Sequence, residues 1–573
     1  MKTKLFYLIS LITCSVVAQN SLLIPPVLSG TDFQLNLQNG QFEFFGGHNT
    51  ATMGVNGNIL GPTLIMNTGE SVNIHVTNNL GQPTTIHWHG MHISAANDGG
   101  PHTVIQPGTT WHPQFTVLNR ASTVWYHPHL DEYTDEHVSK GIAGMIIIHD
   151  THELNSGLPI DYGVDDFPLV VQTKEFDSNY QILNHTNHDD VLMVNATINP
   201  FLEVPAQIVR LRLLNGSSQR VFNFGFDNNR TFYQIATDGG LLDMPQAMNR
   251  LPLSPGERAE ILIDLNNMQG QTLYLMSYAS ELGNGIFGSA APGMNPNMPL
   301  NNYNPNALNG TDFTILQLNV TAPTSNPVTT IPNSFEPIPP LLENNANQHR
   351  DFLLRPVSMG FNQLNGDFTI NGVSFDMNTI NVTIPLNNTE VWTITNNSAI
   401  SHPFHVHDIV FQILSINGNS NIPDYAKGWQ DTFLVPAGGG SIKIIAKFED
   451  FSDDTIPYMY HCHMLNHEDG GMMGAFTVVD TSNHIIDLKS EQAVVYPNPV
   501  QTVYATIQLQ NPDEMITAYT IIDELGKIVA HHKVHTNELS NLYSFPVFEL
   551  ANGNYTIKIY TDRQIIIKSF IKN

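Results

Sequence analysis

The segment that decides the fold and the chemistry of this chain is HCHMLNHEDGGMM, residues 461–473. It places a thiol, an imidazole and a thioether at Cys462, His467 and Met472. These are three of the four ligands of a blue-copper site, where two histidines and a cysteine surround the metal and a methionine binds weakly along the axis. The segment therefore predicts a copper centre that lacks only a second histidine.

The two histidines that flank the cysteine predict a second centre. If Tyr460 to His463 run as a strand, successive side chains point to opposite faces. His461 and His463 then face one way and Cys462 faces the other. Such a strand binds one copper by the sulfur of Cys462 and a second metal cluster by the two imidazoles. Only a few covalent bonds then separate the two centres, which favours electron transfer between them.

Other histidines are available to complete both centres. Three more His-x-His pairs occur, at His87/His89, His127/His129 and His405/His407, and with His461/His463 they supply eight imidazoles, enough for three coppers. His402 lies just before the third of these pairs. Pro403 breaks strand regularity, so we expect His402 to turn away from its neighbours and to supply the missing nitrogen of the blue-copper site. An isolated pair is typical of surface or core histidines, but four pairs with this Cys-His-Met spacing indicate metal centres.

The four motifs together resemble those of a known family. HWHG (87–90), WYHPH (125–129), HPFHVH (402–407) and the 461–472 segment are similar, in that order, to the ligand motifs of the multicopper oxidases. This family includes laccases, bilirubin oxidases and bacterial cuprous oxidases. The resemblance covers about residues 40 to 480 and implies three cupredoxin-like β-sandwich domains.

The resemblance also implies four copper ions and their ligands. The type 1 copper is expected to bind His402, Cys462, His467 and Met472. The type 2 copper is expected to bind His87 and His405. The type 3 pair is expected to bind His89, His127, His129, His407, His461 and His463. We expect His467 to face the reducing substrate, because the matching histidine of laccases lies at the surface.

Two carboxylates match the proton-supplying acids of the family. Asp98 lies in NDGG (97–100), and Glu468 directly follows His467. The alternative for Asp98 is a turn residue, since Asp-Gly favours turns, and the alternative for Glu468 is a solvated surface acid. We expect Asp98 and Glu468, with Cys462 and His467, to be the catalytic residues.

Composition and cysteine content favour an exported β protein. Of 573 residues only 13% are charged, while Gly (41) and Pro (35) are plentiful, as in a turn-rich globular protein. The net charge of −28 argues against a nucleic-acid partner. Residues 1–18 have the pattern of a secretory signal, which leaves Cys462 as the only cysteine after its removal. The alternative is a lipoprotein signal with Cys14 as the lipidated residue, and no later stretch is apolar for long enough to cross a membrane.

Short alternating runs and turn-rich breaks predict an all-β chain with three sandwiches and a small C-terminal β-sandwich. The predicted segments are a signal peptide (1–18), cupredoxin domains 1 (19–155), 2 (160–325) and 3 (345–482), and a tail (490–573). Domain 2 carries no ligand motif and is expected to be a spacer, with the three-copper cluster between domains 1 and 3. The tail resembles the C-terminal sorting domain of the type IX secretion system, which implies a secreted or cell-surface protein; the alternatives are an ordinary small β-sandwich for the tail and a periplasmic location.

The motifs thus predict an oxidase that couples one-electron oxidation of a small substrate to four-electron reduction of dioxygen to water. Met472 excludes the high-potential laccases that carry Leu or Phe at that position. Cuprous oxidases of the family tend to have a Met-rich insertion and an Asp and a Met before HPFHVH, whereas this chain has Ser398 and Ile400 there and only Met294 and Met298 in its 283–310 loop. We therefore expect a laccase-like oxidase of phenols or aromatic amines, with cuprous oxidation as the alternative. The alternative from a different functional class is a copper-binding scaffold protein that catalyses no reaction.

Overall fold

The computed structural model describes residues 19–293, 300, 303, 306–358, 364, 366–480, 493–512, 514–523, 527–534, 539–562 and 565–573. The expected signal peptide with Cys14, and both Met294 and Met298, lie outside the described residues. Contacts divide the chain into a long unit that ends at Val479 and a C-terminal unit that begins at Asp480. Strands dominate both units, and the described residues form eight sheets, which confirms the all-β class.

The first two sheets carry the first two histidine pairs. One sheet has, in spatial order, Val27–Ser29, Thr63–Asn67, Gly144–His149, Ser122–His127 and His87–His89. The other contains His48–Val55, Asp32–Phe45, Ser71–Asn79, Thr110–Trp111 and Gln114–Thr116. Val72, Ile74 and Val76 alternate with more exposed residues and point into the core between the two sheets, because a strand with period-two hydrophobicity buries one face.

The middle two sheets are larger. One has the order Asn20–Ser21, Pro200–Pro205, Phe313–Thr321, Thr272–Ser277, Phe222–Phe226 and Leu251–Leu253. The other has the order Thr197–Ile198, Val191–Val194, Asp166–Phe176, Ile208–Asn215, Arg258–Asp264, Phe232–Thr237 and Gly240–Met248, with Ile182–Leu183 beside Asp166–Phe176.

The strand Ile208–Asn215 is buried on both of its faces. Leu211 and Leu213 point into the core of the middle sheets, whereas Arg210 and Arg212 point the other way and pair with buried carboxylates that include Glu153. A buried charge is tolerated when it is paired, so these ion pairs explain how two arginines occupy a fully buried strand.

The third pair of sheets carries the segment around Cys462. One sheet has the order Phe368–Ile370, Gln348–Pro356, Thr389–Asn396, Gly440–Lys447 and Phe411–Ile416. The other has the order Val382–Pro385, Met473–Val479, Asp453–Cys462, His402–Val406 and Thr432–Val435. The strand Phe368–Ile370 ends where it does because Asn371 and Gly372 have positive φ angles (57° and 77°) and form a turn.

Helices are few and short among the described residues. The α-helices are Ala95–Asp98, Thr134–Ser139, Thr151–Leu154 and Leu465–Asp469, and the 3₁₀ turns are Asp227–Asn229, Ala279–Glu281, Glu343–Asn345 and Asp424–Ala426. In the described part of the chain no helix has the length and apolar character needed to cross a bilayer. Two of the helices matter for the site, because they carry Asp98 and Glu468.

The C-terminal unit is a small β structure with its own core. One sheet contains Ala493–Tyr496, Tyr504–Leu509 and Leu542–Pro546, and the other contains Ile528–Lys533, Ile516–Ile522, Gly553–Thr561 and Ile565–Lys572. Ile507, Ile521 and Ile557 are among the apolar side chains buried between these sheets. The predicted small C-terminal β-sandwich is therefore present.

Candidate metal centre

The strand Asp453–Cys462 places the central cysteine and its neighbours on opposite faces. It pairs with His402–Val406 in a register that sets Cys462 opposite Phe404 and His461 opposite His405. Cys462 points into the third core, whereas His461 points toward His129 and His405 on the other side. Cys462 and His461 therefore point to opposite faces of the strand, as the alternation of side chains in a strand requires.

Three side chains surround one point on the core side of this strand, those of His402, Cys462 and His467. The Sγ of Cys462 lies 3.4 Å from Nδ1 of His402 and 3.8 Å from Nδ1 of His467. Met472 is fully buried beside them, and its backbone carbonyl accepts a hydrogen bond from the amide of Cys462 at 3.1 Å. The outer nitrogens of both rings are held elsewhere: Nε2 of His402 lies 2.8 Å from Ser398 Oγ, and Nε2 of His467 lies 3.0 Å from the carbonyl of Leu364.

This arrangement fits a copper ion of the blue type. A ligating histidine usually bonds its second nitrogen to a nearby polar group, which orients the ring and leaves the first nitrogen for the metal. Both histidines present Nδ1 to the sulfur in this way. The donor set of two imidazoles, one thiolate and one thioether is the set that such a copper uses.

Two expectations about this site were wrong in detail. Pro403 does not break the strand, since His402–Val406 pairs without interruption with Thr432–Val435. His402 and His405 face opposite sides because they are three residues apart in a regular strand. The second error concerns His467, which is not at the surface: its side chain is 1% exposed, under Leu364 and beside Phe368.

The eight paired histidines converge on the other side of the strand, and all are buried. Three of them form one triad, in which the Nε2 atoms of His129, His407 and His461 lie 3.2–3.4 Å apart. A second triad surrounds Nδ1 of His89, which lies 3.1 Å from Nε2 of His463 and 3.4 Å from Nε2 of His127. Nitrogens bound at about 2 Å to one metal lie roughly 3–3.5 Å apart, so each triad has the dimensions of a metal site.

The remaining two histidines have the clearest signature of a cation site. His87 and His405 donate from Nδ1 to backbone carbonyls, of Asp98 at 3.1 Å and of Asp431 at 2.9 Å. Their Nε2 atoms are buried and have no hydrogen-bond partner. Buried polar atoms are almost always satisfied, so two orphaned imidazole nitrogens in a cluster of histidines indicate a ligand position.

Burial sets the protonation state that metal binding needs. It lowers the pKa of His405 and of His467 to about 4, so both rings are neutral near pH 7 and can use a lone pair. Burial also raises the pKa of the Cys462 thiol above its ordinary value. A bound cation reverses this effect, because a coordinating thiol is deprotonated.

Both predicted carboxylates lie against the histidine cluster. Asp98, the last residue of the helix Ala95–Asp98, has Oδ2 at 2.8 Å from Nδ1 of His407 and 3.4 Å from Nδ1 of His87. Glu468 lies between the two rings of the first triad, 3.3 Å from Nδ1 of His129 and 3.2 Å from Nδ1 of His461. Both acids are 1% exposed, so Glu468 is not a solvated surface acid.

The middle sheets contribute to the cluster, which the expectation of a simple spacer missed. Arg258 reaches Asp431 with both of its terminal nitrogens, at 2.7 Å and 2.5 Å. Asp431 in turn lies 3.1 Å from Nε2 of His89. Gly256 lies against the ring of His463, so closely that an added Cβ would lie 2.9 Å from the ring atoms.

A sequence signal for these residues did exist. Both PGER (255–258) and GWQDT (428–432) resemble segments of the multicopper oxidases. The contact between Arg258 and Asp431, which are 173 positions apart in the chain, could not be predicted from the spacing of the motifs.

Several described histidines outside the two centres have other partners. His92 pairs with Asp408 and Asp450, and His137 hydrogen-bonds Gln82 and Thr84. His102, His112, His185 and His188 also have contacts away from the two centres.

Comparisons with known proteins agree with this geometry. Models of the multicopper oxidase family match residues 36–153, 123–292 and 347–482, and a model of a secretion system C-terminal sorting domain matches residues 494–573. A multicopper oxidase of Staphylococcus haemolyticus is 33% identical over 78% of this chain and 89% of its own length. A cell division protein, FtsP, of Photorhabdus laumondii is 30% identical over 82% of this chain and 94% of its own.

A solved structure agrees in the same way. The laccase-like multicopper oxidase CueO of Ochrobactrum sp. superposes with a TM-score of 0.70 at 32% identity, over 80% of this chain and 100% of that one. The cupredoxin-like sandwiches expected from the motifs are therefore present. This chain belongs to the multicopper oxidases, a family of copper-dependent oxidoreductases.

Proposed function

We propose that this protein is a laccase-like oxidase that takes electrons singly from phenols or aromatic amines and reduces dioxygen to water. Four coppers serve this reaction: a type 1 copper at His402, Cys462, His467 and Met472, and three at the eight paired histidines. The observation that carries the proposal is the pair of orphaned Nε2 atoms of His87 and His405 beside two complete imidazole triads. A cluster with 2 + 3 + 3 imidazoles supports one type 2 and two type 3 coppers.

The coppers, when bound, supply one-electron redox chemistry and the site at which dioxygen is reduced. The chain supplies the connection, because Cys462 shares peptide bonds with both His461 and His463. Covalent links of this length carry electrons between the two centres without a mobile carrier. Burial of every ligand keeps bulk water out of both centres.

Protons for the reaction come from the two carboxylates. Reduction of dioxygen to two waters consumes four protons, and Asp98 and Glu468 hold acceptor oxygens against the outer nitrogens of the cluster. Asp98 contacts the ring of His407 and lies near that of His87, whereas Glu468 lies between the rings of His129 and His461. The two acids thus approach the cluster at different rings.

The structure around His402 favours phenols over Cu(I) as the substrate. At the two positions where cuprous oxidases tend to have Asp and Met, this chain has Ser398, whose hydroxyl holds Nε2 of His402, and Ile400, which is fully buried. Neither residue presents a soft or charged ligand at the surface. The CueO of Ochrobactrum sp. is described as active towards lignin model compounds and lignosulfonate, which also supports an aromatic substrate.

Oxygen uptake by the copper-loaded protein tests the proposal. We expect uptake with 2,6-dimethoxyphenol and with an aromatic amine to exceed uptake with Cu(I) in kcat/KM. Cys462→Ser should abolish uptake with every substrate, while His137→Gln, which changes a buried histidine outside both centres, should leave it intact.

Two other outcomes are informative. A higher kcat/KM with Cu(I) than with any aromatic reductant supports the cuprous oxidase instead. No uptake with any reductant by fully loaded protein supports a copper-binding scaffold, a possibility raised by the similarity to a cell division protein.

We also propose that the protein is secreted or displayed at the cell surface. The match of residues 494–573 to a secretion sorting domain and the signal-like residues 1–18 support export, with the secretion machinery as the partner of the tail. Mass spectrometry of the secreted protein should find residues 496–573 removed. Their retention in the secreted form contradicts a sorting role.

A further inference from the structure

We propose that Arg258, from the middle sheets, is a positioning residue for the trinuclear centre. Through Asp431 it holds the imidazole of His89 in the tautomer that carries its proton on Nε2, so that Nδ1 keeps a lone pair for the metal. This inference rests on the proposed copper cluster and adds a role for the domain that carries no ligand.

His89 differs from the other seven histidines of the cluster in the nitrogen that it turns inward. Nδ1 of His89 faces Nε2 of His463 and of His127. In the other histidines Nε2 faces the cluster. For most of these, Nδ1 is held by a polar group of their own or a neighbouring strand or helix, such as the carbonyl of Pro128 for His127. His89 therefore needs an acceptor on the opposite side of its ring.

Asp431 supplies that acceptor. Its Oδ1 lies 3.1 Å from Nε2 of His89, and its backbone carbonyl accepts from Nδ1 of His405 at 2.9 Å. A carboxylate oxygen can only accept, so the hydrogen bond places the proton of His89 on Nε2. Fixing a ring in this way through its second nitrogen is the usual function of the groups that surround metal-binding histidines.

Arg258 fixes the orientation of this carboxylate. Its Nη1 and Nη2 contact Oδ1 and Oδ2 of Asp431 at 2.7 Å and 2.5 Å, in the two-pronged geometry that a guanidinium forms with a carboxylate. Arg258 is itself held on all sides: Nε donates to the carbonyl of Thr123 from the first sheets, and Nη2 donates to the carbonyl of Asp238 from the middle sheets. Carboxylate and guanidinium are fully buried, so neither has an alternative partner in solvent.

The backbone around the pair makes room for it. A Cβ placed on Gly90, the glycine of the HWHG motif, would lie 2.6 Å from Nη2 of Arg258 and 2.8 Å from Oδ2 of Asp431. Asp238 accepts from the backbone amides of Arg258, Asp431 and Thr432, at 2.7–3.2 Å. The middle and third sheets are therefore locked together at the point where the carboxylate meets His89.

Arg258→Lys tests the role, since lysine keeps the positive charge but has no two-pronged fork. The matched control is Arg212→Lys. Arg212 is also a fully buried arginine of the middle sheets, contacts both oxygens of Asp166, and reaches Thr123, but it lies away from the histidine cluster. Both changes disturb a buried ion pair of an arginine that also contacts Thr123 of the first sheets, so a general loss of stability affects both variants.

Two measurements test the role of Arg258 without depending on the oxidase activity. Imidazole ¹⁵N NMR of the copper-free protein reports which nitrogen of His89 carries the proton. Copper titration followed by the EPR-silent fraction reports the type 3 pair. For Arg258→Lys we expect both tautomers of His89 and a copper affinity at the pair reduced roughly 10- to 100-fold, with wild-type behaviour in Arg212→Lys.

The proposal is overturned if Arg258→Lys and Arg212→Lys show the same His89 tautomer and the same copper affinity. If Arg258→Lys does not fold, Thr432→Val gives a second test. The Thr432 hydroxyl donates to Oδ1 of Asp431 at 2.9 Å and lies 3.3 Å from Nε2 of His89, so the same mixture of tautomers is expected, and an unchanged tautomer contradicts the role of Asp431. The wild-type protein could bind copper with the proton of His89 on Nε2 and still consume no oxygen. That result contradicts the proposed oxidase function but agrees with the positioning role of Arg258.

Discussion

His92 should make the stability of the interface between the first and third pairs of sheets depend on pH. Its Nδ1 lies 2.9 Å from Oδ1 of Asp408, and its Nε2 lies 3.1 Å from Oδ2 of Asp450, both of which come from the third pair of sheets. Burial opposes a positive charge on His92, but the two carboxylates outweigh it and raise its pKa from 6.5 to about 9. The interface therefore contains a histidine that is charged at neutral pH.

The sign and size of the effect follow from linkage. Because the folded pKa of His92 is above the unfolded value, its stabilisation is present at pH 6.5 and is lost as the pH rises through 9. Burial raises the pKa of its partner Asp408 to about 6, so the pair also weakens below that pH. The difference of about 2.5 between the two pKa values, at about 1.4 kcal/mol per unit, corresponds to ~3 kcal/mol as an upper bound. A side chain that is 21% exposed retains most of this value.

His92→Gln removes the charge and keeps two hydrogen-bonding groups. Urea denaturation should show the variant destabilised by ~3 kcal/mol near pH 7 and by much less near pH 10, and NMR titration of wild-type protein should place the pKa of His92 near 9. The control is His152→Gln, whose side chain is 65% exposed and lies 3.8 Å from Glu336, and an exposed pair of this kind contributes little to stability. An equal loss at both pH values, or a pKa of His92 near 6.5, refutes the reasoning.

The remaining predictions concern the metal centres. Met472→Leu should raise the reduction potential of the type 1 copper, measured by redox titration of the blue absorption, because it removes the thioether; an unchanged or lower potential contradicts axial ligation. Asp98→Asn should slow reoxidation by dioxygen about 10- to 100-fold in stopped-flow experiments and leave the blue absorption unchanged, whereas reoxidation at the wild-type rate excludes proton supply by Asp98. Gly256→Ala places a Cβ 2.9 Å from the ring of His463 and should lower the copper content of the cluster, measured by mass spectrometry. The control is Gly270→Ala, which has a similar φ (+82° against +86°) but no atom within 4 Å of the added Cβ, so it separates the effect of the clash from that of backbone strain. Equal copper content in both variants contradicts the role of the contact with His463.

Much of the candidate site was predictable because metal ligands of this kind are closely spaced along strands. A strand turns alternate residues to one face, so each His-x-His pair presents two imidazoles together. The same rule separates Cys462 from His461 and His463. The residues around the ligands were harder to predict, since Arg258 and Asp431 come together only when strands from different sandwiches meet.

The burial of individual polar side chains also could not be predicted from the local sequence pattern. Glu468 follows a histidine in a short polar segment, which is also compatible with a surface acid, and only the packing of Leu465–Asp469 against the cluster buries it. His467 was expected at the surface because the matching histidine of laccases lies there, but Leu364, about 100 residues earlier, contributes to its cover.

The sequence by itself determined the all-β class and the candidate donor atoms with their grouping, because these depend on residue identity and on the period-two geometry of strands. Only the tertiary structure decided which nitrogen of each ring faces inward, which acids are buried and which arginine holds Asp431. Those features depend on contacts between segments far apart in the chain, and such contacts leave no periodic trace in a single sequence.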